Sequence, residues 1–207
     1  MEDDALPVLG CRTHKERMEN DYGFRVVVRG KTACFPRPEF WRDEISYDIL
    51  TPGAARGVLD RIHWRPAIRW VIDSIAVLAP IQFRERGIRS ERRSVILQNV
   101  GYIIDAHFDM THRAGPRDEP LRHRGMARRQ LKGGISVFLG SEEHPGEAML
   151  LEDSAEDQAL PIEVTRDLGW MVYEADYEDR KRLRFFRAEM IRGVIPIPPR
   201  DSVSLFG

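Results

Sequence analysis

The sequence predicts an α+β protein: a ferredoxin-like (RRM-like, split βαβ) domain followed by a β-rich C-terminal extension. Three observations carry this. Apolar residues switch between a period of two and a period near 3.6 in the order strand, helix, strand, strand, helix, strand. That order is the split βαβ pattern, which buries one sheet face under two helices and leaves the other free. Beyond residue 140 the runs "EAMLLE", "GWMVYEADY" and "LRFFRAEMIRGVI" read as further strands. The division expected is a loose arm over 1–22, the ferredoxin-like domain over 23–140 and the β extension over 141–207.

The arm is polar and without periodicity. From Phe24, "FRVVVRGK" puts Phe24, Val26 and Val28 on one face, as a half-buried strand does. Pro36 and Pro38 set a loop. Thr51 is the N-cap of the first helix and Pro52 its first residue, where the missing N–H costs nothing. Ala55, Val58, Leu59 and Ile62 give it one apolar face, and Pro66 lies past its end. Gly57 interrupts it, at about 1 kcal/mol relative to Ala, which suggests close approach of another segment or a ligand. "AIRWVIDSIAVL" is the second strand, and its alternation slips by one at Asp73–Ser74, as at a bulge. "RERGIRSERRS" reads as a basic connector. "VILQNVGYIIDAHFDM" is the third strand, with Ile104, Ala106 and Phe108 inward and Asp105, His107 and Asp109 outward. "DEPLRHRGMARRQLKGG" is the second helix, with Asp118 as cap, Gly133–Gly134 as stop and a thin apolar face of Leu121, Met126, Ala127 and Leu131. "ISVFLG" is the fourth strand. An acidic loop, 154–158, links the later strands.

The 207 residues are 42% hydrophobic and 31% charged, as in a globular protein with a real core. The net charge of −1 hides an asymmetry. Between Arg84 and Lys132, 12 Lys/Arg face 6 Asp/Glu, while the remainder is acidic. A basic middle suggests a polyanionic partner; a solvated surface of ion pairs is the competing explanation. Two cysteines, Cys11 and Cys34, make neither a disulfide framework nor a cysteine-rich zinc site. The start "MEDDALPVLG" lacks the basic and apolar regions of a signal peptide, and "WVIDSIAVLAPI" is too short to span a bilayer. A cytoplasmic location is the expectation.

Three groups of residues can carry chemistry. Arg84, Arg86, Arg89, Arg92 and Arg93 lie in the basic connector, and Arg122, Arg124, Arg128, Arg129 and Lys132 on the second helix. Arginine suits bidentate phosphate contacts. Arg29 and Lys31 add charge to the first strand. The second group is His123 within "RHRGMARRQ". RNA scission needs a base for the 2′-hydroxyl, an acid for the leaving 5′-oxygen and cations for the phosphorane charge. His123 can be acid or base, and Arg122 can hold charge but never acts as a base. Tyr47 either orients or deprotonates the hydroxyl, or stacks on a base. The third group is Asp105, His107, Asp109 and His112 as metal ligands; a hydrated polar sheet face is the stronger explanation, and no metal or cofactor is expected. No G-x-S-x-G, P-loop or G-x-G-x-x-G is present.

"GFRVVVRGKTACFPRPEF", "ISYDILTPGAARGVLDRIHWRPAIRWVIDSIAVLAPIQF", "NVGYIIDAHFDMT", "LRHRGMARRQLKGG" and "RDLGWMVYEADYE…LRFFRAEMIRGVIPIPP" together resemble the CRISPR-associated Cas-five proteins of type I-C systems, the c or d subtype. The resemblance spans most of the chain outside the arm. It implies metal-independent cleavage of precursor CRISPR RNA repeats, leaving a 2′,3′-cyclic phosphate. It also implies retention on the 5′ handle of the guide, beside the backbone-filament and large subunits of the surveillance complex (Cascade), with target DNA met indirectly. A non-catalytic handle-capping subunit of the same complex is the alternative. The catalytic group it implies is Tyr47 and His123, with Arg122 where the family has Lys. Arginine keeps the charge there but loses the exchangeable proton. Two segments are shorter than in the family: the one around "ERGIRSERRSVILQ", and "GGISVFLG".

Overall fold

The computed structural model describes residues 23–89, 92–151, 159–175, 183–202 and 205–206. The arm over 1–22 and the acidic loop 154–158 lie outside the described residues. Strand β1 (Phe24–Ala33) buries Phe24, Val26 and Val28, as its alternation requires. After the short β2 (Glu44–Ile45), helix α1 (Pro52–Ile62) starts at Thr51, whose hydroxyl accepts the Ala54 N–H at 3.3 Å. Strand β3 (Ile68–Val77) carries the expected irregularity between Ile72 and Ser74.

The sheet gains its shape from β5 (Arg92–Met110), which changes partners along its length. Its start pairs with β4 (Phe83–Arg89) and, at Ser94 and Val95, with β2. Its middle pairs with β1 and its end with β3. The segment read as a basic connector is therefore largely a β-hairpin. Its edge strand is exposed at Phe83, Arg84 and Glu85, so no buried face imposed alternation on the sequence.

Helix α2 (Pro120–Lys132) is followed by β6 (Ile135–Phe138) and β7 (Pro145–Leu150). The fourth strand of the ferredoxin-like order is β7, not "ISVFLG": β7 pairs with β1, and β6 only extends the edge beyond it. Glycine decides this placement. A Cβ on Gly146 would lie 2.7 Å from the Arg29 carbonyl oxygen, and one on Gly140, at φ +106°, would lie 1.6 Å from that of Cys34. Only glycines let the β6–β7 hairpin close against the end of β1. The four central strands run β3-β5-β1-β7, all antiparallel.

The later strands build a second sheet from β8 (Arg166–Ala175), β9 (Leu183–Met190) and β11 (Leu205–Phe206). Between β9 and β11, β10 (Val194–Pro196) returns to the large sheet and pairs with β3. Met171, Tyr173 and Phe186 join the core that contains α1. No helix among the described residues is long and apolar enough to cross a membrane.

Three helix details differ from the sequence reading. Asp118 does not cap α2: the N-cap is Glu119, without a side-chain bond, and Asp118 accepts from the Gly115 N–H at 2.9 Å. The buried face of α2 is His123, Ala127 and Leu131, while Leu121 is 62% exposed. Gly57 is exposed and nothing lies within 4 Å of where its Cβ would be, so no segment of the described chain requires it. Gly57→Ala is expected to stabilise the fold by about 1 kcal/mol, which thermal denaturation would register as an upward shift of roughly 2–4 °C.

Candidate functional site

Helix α1 separates the two residues that the sequence reading joined. Tyr47 precedes its N-terminus. Only 1% exposed, it offers its hydroxyl to the Val172 N–H of β8 at 3.3 Å. Arg37 stacks on its ring at 4.5 Å and also bonds Asp48 at 2.8 Å, and Arg166 holds Asp48 at 3.0 Å. Burial, and after it the charge of Glu39, pushes the Tyr47 hydroxyl pKa up. Here Tyr47 fastens the α1 entrance to the second sheet.

The other end of α1 is capped by His63, and there His123 is found. His63 Nε2 lies 3.0 Å from His123 Nδ1, and His123 Nε2 lies 3.2 Å from Asp118 Oδ1. The Trp70 indole N–H donates to the His63 carbonyl at 2.9 Å, and the Phe108 ring stands edge-on to His123 at 6.4 Å. An 11-residue helix lies between the two sites, about 16 Å of axis. The strand β5 also keeps them apart: Ser46 donates its N–H to Val95, whereas Phe108 is near the opposite end. Tyr47 and His123 therefore do not share one reaction centre in this conformation.

The proton positions follow from chemistry. An ionised carboxylate only accepts, so His123 Nε2 carries the hydrogen toward Asp118. In neutral His123, Nδ1 then accepts from His63 Nε2–H. Burial first, then the neighbouring His123 and Arg65, lowers the His63 pKa to about 4. The Gly115 N–H, and with it His123 and Arg122, lowers that of Asp118. Arg122 is exposed beside this chain, so the structure brings together Arg122, His123, Asp118 and His63. His63 and Asp118 were missed as partners. A signal existed for the burial of His123, because 123, 127 and 131 share one helix face at i, i+4, i+8.

The burial of His63 makes a pH prediction. Below its ordinary value of 6.5 the unfolded chain binds a proton that the folded one refuses until about 4. Its contribution is complete above 6.5 and is lost as pH falls toward 4, by up to about 3 kcal/mol. Urea denaturation between pH 7 and 4.5 is expected to show a shallower slope for His63→Gln than for the wild type.

The predicted RNA contacts are spread over several elements. Arg29 and Lys31 are exposed on β1, and Arg84 on β4. Arg93 pairs with Glu85 at 3.1 Å. Arg86, Arg89 and Arg92 belong to the same hairpin. On α2, Arg129 and Lys132 are exposed, while Arg124 and Arg128 are half-buried; Arg124, Arg128 and Lys132 have partners within the protein. Of the metal-ligand candidates, Asp105 takes Arg25 at 2.9 Å and Ser74 at 2.9 Å, and His107 takes Asp73 at 2.9 Å. Their ligand atoms are committed to ion pairs and hydrogen bonds. Among the described residues a different trio, Cys34, Glu44 and His144, brings ligand atoms within 4.8 Å of one another. Burial, followed by Glu44, raises the Cys34 thiol to about 12, and His144 Nδ1 is bonded to Thr32 at 2.9 Å.

A strand-helix-strand-strand-helix-strand domain with a second sheet makes this a ferredoxin-like protein with a β extension, and its basic, histidine-bearing helix suits an anionic partner. Residues 24–198 match the Cas5d family, described as CRISPR-associated protein (Cas_Cas5), and the chain belongs to that family. A protein of Mannheimia succiniciproducens named CRISPR pre-crRNA endoribonuclease Cas5d is 38% identical, over 84% of this chain and 94% of its own length. A protein of the same name from Thermus thermophilus is 31% identical, over 79% of each. A solved structure of a functionally uncharacterized protein, SMU1763c from Streptococcus mutans, has a TM-score of 0.75 at 25% identity, covering 89% of this chain and 97% of its own. A crystal structure of a CRISPR-associated protein has a TM-score of 0.78 at 24% identity, covering 89% and 96%, and supports the fold.

Proposed function

We propose that this chain is a pre-crRNA endoribonuclease that cuts CRISPR repeat RNA without a metal ion and then stays on the 5′ handle as a subunit of the surveillance complex, beside its backbone-filament and large subunits. The observation that carries the catalytic part is the Asp118–His123–His63 chain with Arg122 at its side.

Solvent takes the proton of the 2′-hydroxyl, whose oxygen attacks phosphorus as the bond to the 5′-oxygen breaks. The 5′-oxygen takes a proton, leaving a 2′,3′-cyclic phosphate and a 5′-hydroxyl. His123 supplies that proton from Nε2 when the leaving oxygen replaces Asp118 there. As the imidazolium, His123 holds its second hydrogen on Nδ1, toward the Nε2 lone pair of His63, whose own proton then lies on Nδ1. His63 thus orients the acid in both states. Arg122 offsets the phosphorane charge. Tyr47 takes part if RNA binding draws its hydroxyl from Val172 and brings it toward His123.

The burial of both Tyr47 and His123 favours one second reading, a handle-binding subunit that does not cut. Purified protein incubated with labelled repeat RNA in excess chelator separates the two. Site-specific cutting supports the nuclease; tight binding to RNA that stays intact leaves the capping role.

A further inference from the structure

Away from the His123 chain, one carboxylate holds four arginines. Glu174, buried at the end of β8, accepts from Arg69 of β3 at 3.0 Å and from Arg56 of α1 at 3.4 Å through Oε2. Through Oε1 it accepts from Arg184 of β9 at 3.2 Å and from Arg200 of the C-terminal segment at 3.2 Å. Two oxygens cannot neutralise four guanidinium groups. Asp60 lies close enough to interact with Arg56 and Arg69. Counting Glu174 and Asp60 as ionised against the four arginines leaves two positive charges in excess. Burial first, then the neighbouring Arg200 and Arg56, pushes Arg69 below the usual guanidinium range. The most open member is Arg200, with its side chain 50% exposed; Arg69 and Arg184 follow at 34% and 31%.

The geometry points to a second anion site: the Arg56, Arg69, Arg184 and Arg200 cluster around Glu174 takes a phosphodiester of the bound RNA. The inference rests on the RNA-binding reading above. Guanidinium groups retain N–H donors after one carboxylate contact, and phosphate oxygens fit that fork. Placement favours RNA. Arg69 stands opposite Asp109, next to the Trp70–Phe108 pair, and Phe108 and Trp70 touch the His123 and His63 residues. The cluster and His123 are therefore at the same end of the large sheet, with Arg69 and Trp70 directed to opposite faces, so that one strand of RNA passing around the β3 edge can meet both.

The experiment is fluorescence-anisotropy binding of labelled repeat RNA across a salt series in chelator. It compares the full-length wild type with Arg184→Ala/Arg200→Ala and with Arg187→Ala, a control on the same strand whose partner is Asp167. The double variant is expected to bind at least tenfold more weakly and to lose up to about one from the salt slope, the share of the single phosphate contact removed, while the control is unchanged. Circular dichroism establishes that each variant is folded, and Arg200→Gln alone, at the most exposed position, is the fallback, expected to lose part of the same slope. Equal affinity and slope for wild type and folded variants would overturn the site while leaving RNA binding intact. A wild type that binds no RNA overturns the parent reading and this one together. Unchanged RNA binding with weakened pull-down of a complex subunit would assign the cluster to a protein carboxylate instead, and also overturns it.

Discussion

His123→Ala is expected to slow repeat-RNA cleavage by about 10²–10⁴-fold, the range for loss of a general acid or base, while changing RNA affinity by less than about threefold. The split follows from the site: His123 is 2% exposed and bonded on both ring nitrogens, so it contributes little to the ground-state binding surface. Truncation also removes an acceptor from buried His63 and a donor from Asp118, a cost of roughly 1–3 kcal/mol, so the variant must be assayed well below its melting temperature. His123→Gln keeps polar atoms in the site and controls for this: a folded, RNA-binding Gln variant as slow as Ala places the loss in proton transfer. A folded His123→Ala enzyme cutting at the wild-type rate would remove His123 from the reaction. The same assay addresses Tyr47. If Tyr47→Phe is folded and fails to cut, cleavage needs the hydroxyl, either for its bond to Val172 at the α1 entrance or at the RNA itself.

Local rules made much of the fold legible. Thr51–Pro52 marked a helix start because capping and the missing proline N–H act within one turn. The bulge near Asp73 was visible because a period-two pattern cannot slip without moving side chains to the other face. What the sequence hid depends on distant pairing. "ISVFLG" and "GEAML" are both plausible fourth strands, and the choice falls on contacts that only Gly140 and Gly146 permit. The Asp118–His123 bond was within reach of sequence, five residues apart, yet Asp118 also fits a helix cap; the cap geometry, not the residue type, distinguishes the two. His63 is 60 positions from His123 and reaches it because α1 ends where α2 begins its buried face. The cluster on Glu174 was the least legible, since Arg56 and Arg69 are 118 and 105 positions from their carboxylate. Counting charge found the basic stretch from Arg84 to Lys132 and passed over a denser concentration contributed by five separate segments.

Glu174→Gln is expected to be the most destabilising of the charge substitutions. Removing one partner of a fully buried pair costs about 3–5 kcal/mol. Here Arg200 is half exposed and the other guanidinium groups are partly wet, which screens the loss to roughly 2–3 kcal/mol; for a chain of this size that is a fall of about 4–12 °C in melting temperature. The pH dependence identifies the cause. Burial raises the pKa of Glu174, but Arg200, Arg56 and the hydrogen bonds they and Arg184 provide outweigh it, so the folded value lies below the ordinary 4.5. Its contribution is therefore present in full above that value and is lost as pH falls through the depressed folded one. The gap between wild type and Glu174→Gln should stay constant from pH 8 to about 5 and close only at lower pH, where the native carboxyl is itself protonated. The His63 contribution is lost higher, between 6.5 and about 4, so two acid-sensitive elements at the same end of the sheet separate by window. Inorganic phosphate at matched ionic strength provides a further check. In the variant four guanidinium groups face one another without a carboxylate, so an anion that enters the cluster should restore more stability to Glu174→Gln than to the wild type. Equal stabilisation of both would mean that the charges relax into solvent and that Glu174 holds the segments together by packing rather than by compensation.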